Sequence, residues 1–147
     1  MPGERAPTVL AFDYGLRRVG VAVGNVITRT AEPLLTLRAD QGEPDWPGID
    51  RCIADWRPGI LLVGVPYNMD GSPGELTGLA QTFAADLAAR FGIEVVTVDE
   101  RLSSREAEEV LRRQRRSGEL GRRIRREDVD KEAARVLLRQ WLDGSGA

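Results

Sequence analysis

The chain has 147 residues, 41% hydrophobic and 30% charged, a length and balance that suit one soluble globular domain with a substantial core. It has no histidine and a single cysteine, Cys52, which excludes Ser-His-Asp and Cys-His triads, histidine-bearing zinc sites and an intrachain disulfide. The formal net charge of −2 hides a polarity, because residues 101–126 hold ten arginines against four glutamates, and such a local excess points to an anionic partner.

The opening "MPGERAPT" has no apolar h-region, so no signal peptide is expected. The longest apolar run, "ILLVGVP", is far short of the roughly 20 residues of a membrane helix. A cytoplasmic protein with no membrane partner is the expectation. Residues 8–13 ("TVLAFD") and 19–24 ("VGVAVG") read as strands joined by the hairpin loop "YGLRR", and "LLTLRA" at 34–39 reads as a third strand. "GEPDWPG" is a loop, and "IDRCIADW" a short helix that takes Cys52 into the core. "GILLVGVP" at 59–66 is a continuous apolar run, as expected of a strand covered on both faces. "YNMDGSPG" is a turn-rich loop without the spacing of a P-loop. Its amides precede a helix over 75–91, where they suit either a phosphate contact or a purely structural turn. "IEVVTVDE" at 93–100 is another strand. "SSRE" at 103–106 has capping-box spacing and opens a helix, "RSGELGRRIRRE" is a basic loop, and a last helix runs from about Asp128 to Leu142. The tail over 143–147 is expected to be disordered. The order is βββαβαβα, an α/β domain with a mixed five-stranded sheet and helices on both faces.

In such a sheet ligands gather at the carboxyl ends of the parallel strands. Asp13 ends the first strand, Glu100 ends the fifth, and Asp130 falls near the start of the last helix, so all three acids are expected at one edge. Gathered carboxylates repel one another unless a cation intervenes. With no histidine and no cysteine cluster, that cation is held by oxygen and is Mg2+ or Mn2+. Two such ions would activate a water and stabilise the leaving oxygen of a phosphodiester. Each acid also has an ordinary use: Asp13 in turn hydrogen bonds, Glu100 paired with Arg101, Asp130 against the helix dipole, with Asp128 as N-cap. Residues 112–126 carry eight arginines, read as a flexible basic arm that grips a nucleic-acid backbone. Twenty arginines beside one lysine also fit a GC-rich codon bias, and no aromatic residue lies within 101–126 to stack on bases.

Four stretches, "FDYGLRRVGVAVG", "LLVGVPYNMDGSPG", "VDERLSSREAEEV" and "VDKEAARVLLRQWLD", resemble in order the motifs of the YqgF family. That family comprises Holliday-junction-resolvase-like nucleases, also described as pre-16S rRNA processing nucleases, and the resemblance spans nearly the whole chain. It implies a ribonuclease-H-like fold and divalent-metal-dependent cleavage of a nucleic-acid backbone, with structured RNA or branched DNA as partner. The family's catalytic, metal-holding acids fall on Asp13, Glu100 and Asp130. Its substrate-binding positions fall on Arg18 and on Asn68, Asp70 and Gly71. Arg101, Arg112, Arg113, Arg115, Arg116, Arg122 and Arg123 of the basic tract add further phosphate contacts. Lys131 and Glu132 in "VDKEAA" depart from the usual, less charged pattern, which leaves Asp128 as the alternative third acid. Tyr67 stands where an aliphatic residue is more usual. A monomer or weak homodimer is expected. Two other readings remain: an actin-like or sugar-kinase phosphotransferase, which needs a second such domain to enclose a nucleotide, and a nucleic-acid-binding module without catalysis.

Overall fold

The computed structural model describes residues 5–68, 70–100, 103–117 and 124–144. Three antiparallel strands come first: β1 (Thr8–Tyr14), β2 (Arg18–Asn25) and β3 (Thr30–Asp40). A two-residue strand, β4 (Glu43–Pro44), pairs with the end of β3. It lies inside the segment read from sequence as loop and makes the sheet six-stranded rather than five. Helix α1 (Trp46–Trp56) follows. It starts three residues earlier than its apolar pattern suggests, because Asp45 accepts a hydrogen bond from the Gly48 amide and Pro47 is tolerated in the first turn. The chain continues through β5 (Ile60–Val65), α2 (Thr77–Phe91), β6 (Glu94–Asp99), α3 (Ser103–Ser117) and α4 (Arg126–Gly144). The sheet order is β4-β3-β2-β1-β5-β6, with β1, β5 and β6 parallel.

Strand β2 shows how the sequence divides the two faces. Val19 and Val21 are fully buried on the face covered by α1 and α2, beside Phe12, Ile49, Phe83 and Leu87. Ala22 lies on the opposite face with Val9, Ala11 and Leu62, under Ala134, Leu137 and Leu138 of α4. The alternation of valine with glycine or alanine is therefore large on one face and small on the other, and α4 settles closely on the small one. Helix α3 lies against α4. Cys52 is buried in the first core, as its surroundings predict.

Two boundaries differ from the sequence reading in ways that bear on function. Helix α3 continues through Ser117, so Arg112, Arg113, Arg115 and Arg116 stand on a helix rather than on a flexible arm. Helix α4 begins at Arg126, and Asp128 is not its N-cap. Its Oδ2 instead accepts a hydrogen bond from the Arg125 amide at 2.9 Å, while the Arg125 carbonyl accepts from the amides of Asp128 and Val129. That is the backward-reaching half of a capping box, made by the third residue of the helix. The C-terminal helix extends to Gly144; residues 145–147 and 118–123 lie outside the described residues. Among the described residues no helix is long and apolar enough to cross a membrane.

Candidate active site

The sheet register builds the site. Asp13 shares the face of Val9 and Ala11, so its carboxyl points towards α4, and its cross-strand partners are Gly20 on β2 and Gly64 on β5. Both neighbours lack a side chain for a reason the structure shows. A Cβ on Gly20 would collide with the backbone carbonyl of Asp130 in α4, and one on Gly64 would collide with the Glu100 carboxyl. The row Gly20–Asp13–Gly64 is thus a notch with one acid in the middle, roofed by α4 on one side and by Glu100 on the other.

Glu100 enters from the end of β6. Its amide donates to the Val65 carbonyl at 3.3 Å, extending the β5–β6 ladder by one residue. Val96 and Val98 contribute to the core beneath α4, and the two-residue period carries Glu100 to the same face. It is 8% exposed and its carboxyl hydrogen-bonds that of Asp13. Burial pushes Asp13 up to about 6; the Glu100 hydrogen bond works against this, and the nearby Asp130 charge adds to it. Glu100 is held far above the ordinary carboxylate range, first by burial, then by the Asp13 charge and hydrogen bond and by the Asp99 charge. Two carboxyls this close in a desolvated notch hold one proton between them at neutral pH.

Asp130 stands beside this pair rather than in it. Its Oδ2 accepts from Arg18 Nε at 2.5 Å, with the two side chains 22% and 28% exposed. Burial raises the Asp130 carboxyl, and the Arg18 hydrogen bond and charge oppose the rise. Among the described residues no group of three or more aspartate, glutamate, cysteine or histidine side chains converges on a point that would hold a metal ion. The structure therefore brings Asp13 and Glu100 together and keeps Asp130 adjacent, on its arginine. Asp128, the alternative third acid, is 2% exposed and hydrogen-bonded to the start of its own helix. The available donors are carboxylate oxygens, the set that suits a hard divalent cation.

Of the other expected site residues, the Asn68–Gly71 loop follows the carboxyl end of β5, whereas the α3 arginines are not brought to the acids: Arg113 shares a cavity with Arg135, Arg139 and Asp143, towards the opposite end of α4 from Asp130. The loop after β5 is tied to itself. Asn68 Nδ2 donates to Ser72 Oγ at 3.0 Å and to the Pro73 carbonyl at 3.3 Å, Asp70 Oδ1 accepts from the Ser72 amide and hydroxyl, and Gly71 takes φ 89°. Thr77 Oγ1 donates to the Pro66 carbonyl and accepts from the Gly74 amide, fastening the loop to α2. Arg112, Arg113 and Arg116 line a cavity of about 300 Å³ with Glu109 on an exposed face of α3. Arg101, Arg122 and Arg123 lie outside the described residues. The two glycines of the notch escaped sequence reasoning. Their signal, a glycine in each strand flanking Asp13, becomes visible only once the pairing is known.

A family model described as RuvX, Holliday junction resolvase, matches residues 7–144. Relatives that carry the provisional name pre-16S rRNA nuclease align along almost the whole chain. The one from Histophilus somni is 44% identical over 92% of this chain and 94% of its own length. Those from Pseudomonas putida and Azotobacter vinelandii are each 45% identical, covering 93% and 97% of this chain and 95% and 96% of theirs. Among solved structures, the Thermus thermophilus RuvC in complex with a Holliday junction substrate superposes with a TM-score of 0.54 at 18% identity, covering 94% of this chain and 96% of that one. The Fowlpox virus resolvase in complex with Holliday junction DNA gives 0.59 at 10% identity over 92% and 97%. These two likenesses establish the ribonuclease-H-like fold expected from the element order. With the family model and the relatives in agreement along nearly its full length, the chain belongs to the RuvX family, the YqgF-type nucleases its motifs resemble.

Proposed function

We propose that this protein is a Mg2+- or Mn2+-dependent nuclease that trims the 5′ end of pre-16S rRNA in the cytoplasm, acting as a monomer or weak homodimer. The observation that carries the reading is the Asp13–Glu100 carboxyl pair, Asp13 half-buried and Glu100 buried, at the carboxyl edge of the parallel strands in a notch kept open by Gly20 and Gly64. A pair that retains a proton while it has no cation is suited to exchange that proton for one.

Asp13 and Glu100 would hold the ion, and Asp130, on α4 over Gly20, would complete the shell. When bound, the ion lowers the pKa of a water and offsets charge on the leaving oxygen. The chain's own part is positional. Asp13 and Glu100 fix where the ion would sit, against β1 and on the β6 side, and the arginines hold the reacting phosphate in place. The water oxygen bonds to phosphorus as the bond to the leaving ribose oxygen breaks, and a water proton ends on that oxygen. Arg18 and the arginines at 112, 113, 115 and 116 on α3, with Arg101, Arg122 and Arg123, supply backbone contacts. Asn68, Asp70 and Gly71 would contact the substrate from the loop after β5. The relatives' name favours RNA. The family description and the shared fold support a second reading, cleavage of four-way DNA junctions.

The test compares wild type with Asp13→Asn on a labelled pre-16S 5′-leader fragment and on four-way DNA junctions, with Mg2+ or Mn2+. Cleavage of the leader by wild type alone supports the proposal, and cleavage of the junction alone supports the second reading. Binding without cleavage by any preparation leaves a non-catalytic module, and equal cutting by Asp13→Asn removes the carboxylate mechanism.

A further inference from the structure

Beyond the acids, the same edge opens into a cavity of about 830 Å³ lined by Arg17, Arg18, Thr36, Arg38, Asp40 and Glu127 among others. Arg18 and Arg38 are direct cross-strand partners in the antiparallel β2–β3 pair, a placement in which like charges destabilise a sheet. Arg18 is balanced by Asp130. Among the described residues Arg38 and Arg17 make no ion pair, although four acids line the same cavity. Two of those acids are engaged: Glu43 accepts from the Trp46 indole and Asp45 caps α1. The frame is rigid, since the Arg17 carbonyl accepts from the Ala39 amide at 2.8 Å and Thr36 Oγ1 donates to the Glu127 carbonyl of α4 at 2.7 Å.

The position is as telling as the charge. Asp13, Gly20 and Thr36 form one cross-strand row, and Arg18 and Arg38 form the next row on the same face, two residues and so about 7 Å along the strands. That step is of the order of one backbone repeat of a nucleic-acid strand. We propose that Arg17, Arg18 and Arg38 form a seat for a single backbone phosphate, one linkage along from the bond cut beside Asp13 and Glu100. The seat rests on the nuclease reading above and adds residues that the motif comparison does not supply. Asp40 lies two residues beyond Arg38 on the same face, and Glu127 joins α4 to Thr36 in the row of Asp13, so the three arginines stand between acids on either side. The arginines therefore offer room for one phosphate, and the flanking acids disfavour a second.

The experiment measures binding of short fluorescein-labelled single-stranded RNA and DNA to the full chain in an Asp13→Asn background, across roughly 50–200 mM salt. Arg17→Ala and Arg38→Ala are expected to weaken binding roughly fivefold each and to reduce the slope of log K against log salt by about 0.7 each. Arg38→Lys, which keeps the charge, retains the slope, and Asp40→Asn tightens binding about two- to fivefold. Melting temperatures within a degree or so of the parent show that these exposed substitutions leave the fold alone. A parent that binds, with alanine variants that match it in affinity and slope, overturns the seat and leaves the nuclease reading intact. A parent that binds neither probe overturns both. Equal effects on RNA and DNA identify a phosphate contact, whereas a loss confined to RNA shows that the arginines read the 2′-hydroxyl instead and overturns the seat as stated.

Discussion

Alanine substitution at three glycines tests whether the acid notch is built by close approach. At Gly20 the new methyl would meet the carbonyl of Asp130 and the amide nitrogen of Lys131, all backbone of α4. No rotamer change relieves such a contact, so α4 must shift. Overpacking of this kind costs about 1–3 kcal/mol, offset by about 0.4–1 kcal/mol from the stiffer unfolded chain. With the Asp130 carbonyl well inside contact distance the cost falls at the upper end, and the net loss of about 2 kcal/mol lowers the melting temperature of a chain this size by roughly 4–8 °C. At Gly64 the clash is with the end of the Glu100 side chain, and Leu137 Cδ2 lies at 3.2 Å. A carboxyl can turn aside, so the loss is smaller, about 1 kcal/mol or roughly 2–4 °C, but Glu100 is displaced from Asp13. Gly78, on α2, has nothing within 4 Å of the place a methyl group would take, and alanine there gains up to about 1 kcal/mol.

Melting in EDTA should therefore rank Gly20→Ala below Gly64→Ala, both below wild type, and Gly78→Ala above it. Calorimetric titration with Mn2+ should show weaker binding by Gly64→Ala and unchanged binding by Gly78→Ala. A Gly20→Ala protein that melts at or above the wild-type temperature would refute the close approach of α4. Unaltered Mn2+ affinity in Gly64→Ala would refute the placement of Glu100 over that glycine.

Acid titration offers a second check. Asp13 has an ordinary value of 3.8 and is raised to about 6 in the fold, so between those values the folded state binds more protons than the unfolded one. Stability contributed by this group then falls as pH rises through that window. In EDTA the melting temperature of wild type relative to Asp13→Asn should drop from about pH 4 to pH 6, and a relative rise would contradict the buried pair. Asp128→Ala should cost about 1–2 kcal/mol through loss of the hydrogen bond that the Arg125 amide donates to its carboxylate. Well below its melting temperature this variant should cut within a few fold of wild type, whereas Asp130→Ala should lose activity as Asp13→Asn does. The reverse outcome would make Asp128 the third acid.

Much of the candidate site's geometry was legible in the sequence because strand ends announce themselves: Asp13 and Glu100 each follow an apolar run, and parallel β1 and β6 must deliver them to one edge. What was not legible depends on pairing. Leu34 is an extra residue in β3, so Val21 faces Leu35 while Ala22 faces Pro33. A shift of one residue turns every later side chain to the other face. Without that bulge Arg18 would face Leu37, and Arg38 would point into the α1–α2 side of the sheet. Two-residue β4 is too short to leave a pattern. Helix α4 begins before the residue its pattern suggests because Asp128 makes its capping bond backwards from inside the helix, and the sequence alone reads a first-turn aspartate equally well as the cap.

The acid edge also explains a feature of composition that otherwise looks unhelpful to a small fold. Small residues on the α4 face of β1 and β2 forgo side-chain burial, yet they let α4 approach closely enough for Asp130 to raise Asp13 through space. A desolvated carboxyl pair opposes folding at neutral pH, and Arg18 offsets the third charge by holding Asp130 rather than leaving it to repel the pair. Neutralising Asp13 should therefore stabilise the cation-free protein while removing its chemistry, the inverse relation expected where a site is kept strained for function. A chain in which Asp13→Asn lowered both stability and cleavage would instead have an aspartate that serves the turn, as the ordinary reading of a strand-end acid holds.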